Sequence, residues 1–329
     1  MVAYGCLLVT GAAGFVGRHL LGLLRERFPA AVLIAAVRPE DGALPLLDVA
    51  DRVVPFDLLE PAAFAALIAE LRPDGLIHLA AQASVAASFA DPWASWQANL
   101  MGTIALAEAV LRYSERCRFV LASSAEIYGM SFHAEAPLDE EAPLSPANPY
   151  AASKAACDLA VGEMALRGLD AVRLRAFNQT GAGQSASFVI ASFARQIARI
   201  EAGLQAPVMQ VGALDRWRDF LDVRDVCAAY GAALEARSIS GRVYNIASGT
   251  PRRIGDILGA LIAQSRTSPA VEVEPIRLRP TDVERIAGNS ARAQLELGWA
   301  PAVPWDETLD TVLSDWRSRI SGSPNKEPE

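Results

Sequence analysis

Short apolar segments alternate with longer amphipathic segments through the first half of the chain. The short segments are typical of buried strands and lie at Cys6–Thr10, Val32–Val37, Arg52–Phe56, Gly75–Leu79, Arg118–Ala122 and Ala171–Arg175. Apolar residues recur every three or four positions in the longer segments, which predicts helices at Phe15–Arg27, Pro61–Leu71, Ala98–Tyr113 and Tyr150–Arg167. Alternating strands and helices predict an α/β fold with a Rossmann-like, doubly wound parallel sheet.

After Arg175 the pattern loosens, and a smaller α/β C-terminal domain is expected to bind the substrate. A helix is predicted at Ser187–Ala202, "RDFLDVRDVCAAYGAALEA" reads as a loop and a helix, and "GRVYNIAS" reads as a strand that returns to the sheet. We therefore predict an NAD(P)-binding domain at residues 1–175 plus about 219–247, and a nucleotide-sugar-binding domain at about 176–218 plus 248–320. Residues 321–329 are predicted to be a disordered tail.

Composition narrows the class of protein. The chain has 329 residues, of which 52% are hydrophobic and 21% charged, and this composition is typical of a folded globular protein. Because the net charge is −8 and the basic residues are scattered, neither a nucleic acid nor a membrane is an expected partner. The four cysteines and three histidines are far apart, so no metal site is expected. A basic leader and a membrane-length apolar stretch are both missing from the sequence, which predicts a cytoplasmic protein.

A glycine-rich turn follows the first predicted strand in "CLLVTGAAGFVGRHLL". Gly11 would permit the tight turn, Gly14 would let backbone amides approach a pyrophosphate, and Gly17 would let the helix pack closely on the strand. The spacing is GxxGxxG rather than GxGxxG. The alternative is a helix entered through a flexible turn, but the position at the first strand favours dinucleotide binding.

The ends of the next two strands bear on the choice of cofactor. An NAD-binding protein would usually place an acid after the second strand, whereas this chain has Arg38 there. Arginine suits a 2′-phosphate, so NADP(H) is the preferred cofactor and NAD(H) the alternative. A solvated Arg38 remains the other interpretation. Asp57, at the end of the third strand, could accept from the adenine amino group or could be an ordinary surface residue.

The segment "NPYAASK" places Tyr150 four residues before Lys154, on one face of a predicted helix. An ammonium near a phenol favours phenolate, so Lys154 is expected to lower the pKa of Tyr150 toward the working range. Ser124, at the tip of the neighbouring strand, could hold a substrate oxygen by a second hydrogen bond. Any helix can carry Tyr and Lys at this spacing, and the glycine turn is what favours the catalytic interpretation.

Together "TGAAGFVG", "HLAAQ", "ASSAEIYG" and "YAASK" resemble the extended short-chain dehydrogenase/reductase family. The resemblance covers almost the whole chain and implies Ser124, Tyr150 and Lys154 as the catalytic set, with Lys154 also holding the nicotinamide ribose. Asn99 matches a structural asparagine that supports the active site. The implied cofactor-binding residues are Gly11, Gly14, Phe15, Val16, Gly17, Arg38, Asp57, Leu58, Leu79, Ala80, Ala81, Asn99, Ala122, Tyr150 and Lys154.

Three segments of the second half are similar to GDP-4-keto-6-deoxy-D-mannose reductases and, more distantly, to GDP-mannose 4,6-dehydratases. They are "RAFNQTGAGQSASFVIASFARQIARIEAG", "VGALDRWRDFLDVRDV" and "RPTDVERIAGNSARAQLELGWAP". By this resemblance Asn178 contacts the sugar or pyrophosphate, and Arg218 and Arg279 clamp the diphosphate, for which guanidinium forks are suited. The implied substrate-binding residues are Ser84, Ser124, Glu126, Asn178, Gln184, Phe188, Val189, Arg218 and Arg279.

Glu126 leaves two activities open. The 4,6-dehydratases carry a Glu at this spacing to move protons during elimination of water, so Glu126 is either a working base or a family relic. "TGAGQ" after the sixth strand and Ser124 in place of Thr favour the reductase. The prediction is an NADPH-dependent 4-ketoreductase that converts GDP-4-keto-6-deoxy-D-mannose to GDP-D-rhamnose. The alternatives are a 4,6-dehydratase, a nucleotide-sugar epimerase, or a family member that has lost catalysis.

The resemblance also implies a quaternary structure. Similar proteins pair as homodimers through two helices of the nucleotide-binding domain, here Ala98–Tyr113 and Tyr150–Arg167, which form a four-helix bundle. Both segments are rich in Ala and Leu, which suits close helix packing. Ordinary burial against the sheet is the other interpretation of these faces.

Overall fold

A central sheet of seven parallel strands organises the chain in the computed structural model, which describes residues 3–41, 48–134, 136–274 and 283–322. The strand order is β10-β6-β5-β4-β1-β2-β3. The strands are β1 (Cys6–Thr10), β2 (Val32–Val37), β3 (Arg52–Pro55), β4 (Gly75–His78), β5 (Arg118–Ser124), β6 (Ala171–Ala176) and β10 (Val243–Ile246). The strand order reverses its direction next to β1, so the predicted doubly wound fold is confirmed.

Two layers of helices cover the sheet. Alternate residues of β1 point to opposite faces, so Leu7 and Val9 belong to one core cluster and Leu8 to the other. The first layer contains α1 (Phe15–Arg27) and α8 (Val223–Glu235), and the second contains α2 (Pro61–Leu71), α5 (Thr103–Tyr113) and α6 (Pro149–Leu166). Within the described part of the chain, no helix combines the length and apolar character that crossing a membrane would need.

The helix predicted to begin at Ala98 begins earlier. The short helices α3 (Val85–Ala90) and α4 (Pro92–Ser95) come first, and a π-helical turn at Trp96–Gly102 then leads into α5. A π-helical turn widens the helix by one residue and is frequent at functional sites. It carries Asn99, which the sequence had marked as a structural residue.

The second half of the chain adds a second group of elements. A three-stranded sheet has the order β11-β9-β7, and β8 pairs with β12. The helices α7, α9 and α11 pack on these strands around their own core, which includes Phe193, Leu258 and Trp316. The bounds are β7 (Asn178–Thr180), α7 (Val189–Glu201), β8 (Val208–Val211), β9 (Trp217–Asp222), β11 (Pro251–Arg253), α9 (Ile254–Ala263), β12 (Ala270–Val273), α10 (Ala291–Leu297) and α11 (Trp305–Gly322).

Two details of the second half differ from the sequence prediction. The segment "WRDFLD", read as a loop, forms strand β9, because β7 and β11 pair with it on its two edges. Helix α11 continues through Ser321 and Gly322, the first residues of the predicted tail, and residues 323–329 lie outside the described part. Strand β10 lies beside β6 in the main sheet. The division into two domains at the stated boundaries stays a prediction.

Candidate active site

The glycine turn between β1 and α1 has the geometry expected of a dinucleotide loop. Gly11 has a φ of +69°, and a Cβ there would lie 2.7 Å from the backbone nitrogen of Ala80. A Cβ on Gly17 would lie 2.5 Å from the carbonyl oxygens of Gly11 and Ala12. Gly14 is the N-cap of α1 and has no side chain to occupy the helix N-terminus. The amides of the first turn are therefore open to an anionic group.

The loop after β7 lies against the start of α1. Nε2 of His19 is 2.8 Å from the carbonyl oxygen of Ala182, and Phe15 lies near Gly181 and Gly183. On the other side of α1, the Val16 carbonyl accepts a hydrogen bond from the Cys227 thiol. Phe15 and Val16 thus help to join the proposed cofactor loop to the second half of the chain.

Gln184 is buried and holds this loop together. Its Oε1 accepts a 2.8 Å hydrogen bond from Thr180 Oγ1, and its Nε2 donates a 2.9 Å hydrogen bond to the Gln179 carbonyl. Both ends of the amide therefore bond within the protein. Because the side chain is 3% exposed, Gln184 shapes the loop in this structure and does not present its amide to a ligand.

Arg38 follows β2, as predicted, but its guanidinium has acidic partners. It donates hydrogen bonds of 3.1 and 2.7 Å to the carboxylate of Asp41 and forms a 3.3 Å ion pair with Glu40. Hydrogen bonding to Asp41 raises the pKa of Arg38. A 2′-phosphate would have to compete with these carboxylates, and since the ion pairs are exposed, each is weak.

Asp57 and Leu58 follow β3. Asp57 Oδ1 accepts a 2.9 Å hydrogen bond from the Leu59 amide, which closes a local turn. Leu58 is buried against Gly102, where a Cβ would lie 2.9 Å from the Leu58 side chain. The structure therefore gives Asp57 a role in the turn beside the predicted role with adenine.

The loop after β4 contains Leu79, Ala80 and Ala81, all partly exposed, and it is held by Asn99. Asn99 Oδ1 accepts a 2.7 Å hydrogen bond from the Gln82 amide, and Nδ2 donates to the Gln82 carbonyl at 3.1 Å. Asn99 is 1% exposed. It therefore supports the loop from behind, as a structural asparagine would, and does not offer its side chain to the cofactor.

Tyr150 and Lys154 share one face of α6, close to the end of β5. The N-cap residue Asn148 accepts a 2.8 Å hydrogen bond from the Ala151 amide, which starts the helix just before Tyr150. The Lys154 ammonium donates a hydrogen bond to the carbonyl of Ala122 on β5. Ser124, at the end of the same strand, lies close enough to the Tyr150 phenol to lower its pKa. The structure thus brings Ser124, Tyr150 and Lys154 together.

The pKa of Tyr150 shifts in the direction opposite to the sequence prediction. Burial raises the pKa to about 12, the hydrogen bond with Ser124 lowers it, and the charge of Glu126 raises it again. The prediction that Lys154 lowers the pKa of Tyr150 is wrong in this structure, because burial of the phenol has the largest effect and raises the pKa. The Lys154 ammonium instead donates to the Ala122 carbonyl. Burial also lowers the pKa of Lys154 itself. Tyr150 is therefore a phenol that keeps its proton at neutral pH.

Glu126 lies in the 3₁₀ segment Ala125–Ala134, which follows β5 directly. Its backbone amide donates a 3.2 Å hydrogen bond to Ser124 Oγ, and its carboxylate lies 3.5 Å from Asn148 Nδ2. The side chain is half-buried, and its charge acts on Tyr150. The carboxylate thus lies near both Asn148 and Tyr150.

The predicted substrate residues lie on several elements. Ser84 is exposed and caps α3, and Asn178 begins β7 opposite Phe220 of β9. Phe188 and Val189, at the start of α7, are 47% and 36% exposed and could therefore contact a ligand.

Two predicted arginines complete this set. Arg218 on β9 donates hydrogen bonds to the carbonyls of Trp217, at 2.8 Å, and Glu284, at 3.4 Å. These contacts hold the guanidinium beside the segment that follows residue 282. Arg279 lies outside the described residues, so the predicted pair of diphosphate-binding arginines is represented here by Arg218.

A buried ion network behind the site was not predicted from the sequence. Asp158, one helical turn after Lys154 and 0% exposed, accepts hydrogen bonds from Ser123 Oγ at 2.7 Å, Arg175 Nη2 at 2.9 Å and Arg173 Nη1 at 3.0 Å. It joins α6 to β5 and β6. The sequence feature that could have indicated this network is the pair of arginines in "VRLRA", because charged side chains in a buried strand need partners of opposite charge.

The doubly wound sheet, the glycine turn and the Ser-Tyr-Lys group at the strand ends define a short-chain dehydrogenase/reductase. More narrowly, the chain belongs to the GDP-mannose 4,6 dehydratase family, whose model matches residues 8–312. This membership confirms the resemblance recognised in the sequence motifs.

Three relatives illustrate the similarity. A GDP-6-deoxy-D-mannose reductase of Pseudomonas aeruginosa is 39% identical over 95% of this chain and 98% of its own. A dTDP-glucose 4,6-dehydratase of Streptomyces antibioticus is 32% identical over 94% and 91%. The structure of RMD from Pseudomonas aeruginosa complexed with NADPH matches with a TM-score of 0.82 and 37% identity, over 96% of this chain and 100% of that one. These relatives confirm the prediction of an oxidoreductase enzyme.

Proposed function

We propose that the protein reduces the 4-keto group of a nucleotide-linked 4-keto-6-deoxy sugar, with GDP-4-keto-6-deoxy-D-mannose as substrate and GDP-D-rhamnose as product. The observation that carries the proposal is the Ser124–Tyr150 pair, placed at the end of β5 and beside the glycine turn. The 39% identity to a GDP-6-deoxy-D-mannose reductase supports a GDP-sugar as the substrate.

The proposed cofactor is NADP(H), with NAD(H) as the alternative. The similar structure of RMD is complexed with NADPH, and the glycine turn and Arg38 supply the matching features in this chain. When bound, the nicotinamide supplies the hydride.

In this proposal residues 1–175 and about 219–247 hold the cofactor, and about 176–218 and 248–320 hold the nucleotide sugar.

The residues of the chain supply the proton and the orientation. Tyr150 keeps its proton at neutral pH, since burial raises its pKa to about 12, and it donates that proton to the oxygen of C4 as the carbon receives hydride. Ser124 holds the same oxygen from the strand side. Lys154 is held on the Ala122 carbonyl and thereby fixes α6, which carries Tyr150, against β5.

Replacing Tyr150 with Phe tests this role. The variant keeps the ring but removes the acid, so turnover should fall by at least 10²-fold while cofactor affinity stays nearly unchanged. Steady-state kinetics with the keto sugar and a fluorescence titration with NADPH measure the two quantities. A Tyr150→Phe variant with turnover near the wild-type value would overturn the assignment of Tyr150 as the acid.

A 4,6-dehydratase is the second candidate, and Glu126 is the observation that favours it. The carboxylate lies 3.5 Å from Asn148 Nδ2 and acts on Tyr150, a position from which it could remove a proton from a sugar carbon. Glu126→Gln separates the two candidates. A reductase should lose less than about tenfold in turnover, whereas a dehydratase that uses Glu126 as its base should lose about 10²-fold or more.

We also propose that the chain forms a homodimer through α5 and α6. Leu159 and Leu166 on α6 are 60% and 90% exposed, and this exposure supports a second copy on that face. Leu159→Glu should convert a dimer to a monomer in light scattering. Leu295→Glu is the matched control, because Leu295 is 86% exposed on α10.

A further inference from the structure

The backbone of Tyr150 is held by a residue that neither the cofactor nor the substrate assignment includes. Tyr150 lies in the first turn of α6, where backbone amides have no partner within the helix. Its amide instead donates a 3.1 Å hydrogen bond to Oγ of Ser88, a residue of α3. Asn148 caps the next amide, that of Ala151, so side chains cap both consecutive amides.

The hydroxyl group of Ser88 is held in one orientation by its two hydrogen bonds. Its side chain is 0% exposed, and its hydroxyl donates a 2.7 Å hydrogen bond to the Val85 carbonyl within α3. Because the proton points to Val85, a lone pair of the oxygen faces the Tyr150 amide. In "VAASFA", the sequence of α3, Ser88 is the one polar residue, and it faces inward.

The carbonyl of Tyr150 is held as well. Ser153 Oγ donates a 2.8 Å hydrogen bond to this carbonyl and accepts a 2.9 Å hydrogen bond from Asn99 Nδ2. Asn99 in turn holds the loop after β4 through Gln82. Both polar backbone groups of Tyr150 thus have buried partners outside the regular helix pattern.

We infer that Ser88 is a positioning residue, which fixes the first turn of α6 so that the Tyr150 phenol is aimed at Ser124 and the substrate carbonyl. This inference rests on the proposed function of Tyr150 as the acid. Ser88 also connects the acid to the loop that supplies Ser84, one turn earlier on α3, because the Ser88 amide donates a 3.0 Å hydrogen bond to the Ser84 carbonyl. A buried serine next to the substrate loop thereby sets the position of the proton donor.

The test compares Ser88→Ala with Ser95→Ala. Ser95 is also 0% exposed, and its hydroxyl bonds to the Asp91 carbonyl behind it in the neighbouring short helix, so the control removes an equally buried hydroxyl. Two quantities are measured in the full-length protein: hydrogen exchange of the Tyr150 amide by NMR, and the single-turnover rate of NADPH oxidation with saturating GDP-4-keto-6-deoxy-D-mannose.

Ser88→Ala should speed exchange at the Tyr150 amide about tenfold or more and slow the single-turnover rate about tenfold, with the Kd for NADPH within about twofold. Ser95→Ala should leave both quantities unchanged. Ser88→Cys, which keeps a weaker acceptor, should give intermediate values and guards against a folding defect in the alanine variant.

Equal exchange and equal turnover in the Ser88→Ala and Ser95→Ala variants would overturn the inference. Faster exchange at Tyr150 with unchanged turnover would also overturn it, because the contact would then be structural alone. If the wild-type protein did not reduce the keto sugar, the proposed function would fail. In that case, faster exchange confined to Ser88→Ala would show that Ser88 holds the Tyr150 amide, but the role of this contact in proton donation would fail together with the proposed function.

Discussion

The ammonium of Lys154 donates a hydrogen bond to the backbone carbonyl of Ala122, two residues before Ser124 on β5. This bond fixes α6 against the strand whose end carries the serine. Because Tyr150 lies on the same face of α6, the same contact sets the distance between phenol and hydroxyl. Lys154 therefore has a structural role in the site.

The pH dependence of reduction follows from the pKa of Tyr150. Burial raises that pKa to about 12, so the phenol is protonated, and able to act as an acid, throughout the neutral range. Titration of Tyr150 should therefore leave the reduction rate level between about pH 7 and about pH 9 and reduce it only at more alkaline pH. The pH profile of single-turnover NADPH oxidation measures this. An inflection near pH 7 that Tyr150→Phe abolishes would contradict the account.

Arg38 should decide between the two nicotinamide cofactors. A charge-assisted hydrogen bond to a 2′-phosphate contributes roughly 1.5 kcal/mol or more, so Arg38→Ala should raise the KM for NADPH about tenfold and leave the KM for NADH within about twofold. Asp41→Asn should lower the KM for NADPH, because it removes a carboxylate that now binds Arg38.

The matched control for Arg38 is Arg52→Ala. Arg52 is an exposed arginine on β3 that pairs with Glu70 at 3.3 Å, and its loss should change neither KM. Steady-state kinetics with each cofactor provide the measurement. Equal changes in both KM values in the Arg38 variant would argue against contact with a 2′-phosphate.

Asp158 should contribute strongly to stability. Asp158→Asn leaves the charges of Arg175 and Arg173 buried without their carboxylate, which should cost about 3–5 kcal/mol in the free energy of unfolding. Glu108→Gln is the control, since Glu108 pairs with Arg167 on the surface and should cost less than about 1 kcal/mol. Urea unfolding measures both values, and similar losses in the two variants would contradict this reading.

The same network predicts a loss of stability in acid. Burial by itself raises the pKa of Asp158, but the hydrogen bonds and charges of Arg175 and Arg173 outweigh it and lower the pKa below its usual value. Ionised Asp158 therefore stabilises the fold fully at pH values above the pKa that this carboxyl has in the unfolded chain. The stabilisation is lost as the pH falls through the lower pKa of the folded state. In Asp158→Asn this part of the acid dependence should be missing.

Two glycines of α1 offer a further comparison. A Cβ on Gly17 would lie 2.5 Å from two backbone oxygens, which cannot move easily, so Gly17→Ala should destabilise the protein by about 1–3 kcal/mol and weaken cofactor binding. Gly22, in the same helix, has open space where a Cβ would be. Gly22→Ala should instead stabilise by about 0.5–1 kcal/mol. Thermal unfolding and NADPH titration of both variants test the glycine-turn assignment.

The elements of the sheet could be predicted because their signals are local. Helices α1 and α2 have the predicted bounds, and strand β2, "VLIAAV", is a continuous apolar run. Strand β9 was missed for a physical reason: its sequence "WRDFLD" carries a fully buried Asp219, whose carboxylate accepts from the amides of Ser248, Gly249 and Gly288. Those partners come from distant parts of the chain, so no local pattern indicates the strand.

The candidate site, like strand β9, could be predicted from local sequence patterns only in part. The spacing of Tyr150 and Lys154 predicts a shared helix face, and the structure has it. Spacing could not show that the ammonium would bond to Ala122, that burial would raise the pKa of the phenol, or that Gln184 would use its amide inside a loop. These outcomes depend on burial and on hydrogen bonds between elements, and the pKa of Tyr150 was predicted in the wrong direction for that reason.

The most direct test supplies the purified protein with GDP-mannose alone and, separately, with GDP-4-keto-6-deoxy-D-mannose and NADPH. Cofactor absorbance and the sugar products are followed in both reactions. We expect NADPH oxidation with the keto sugar only, and GDP-D-rhamnose as the product. Conversion of GDP-mannose to the keto sugar without added reductant would contradict it and would identify a dehydratase with Glu126 as its base.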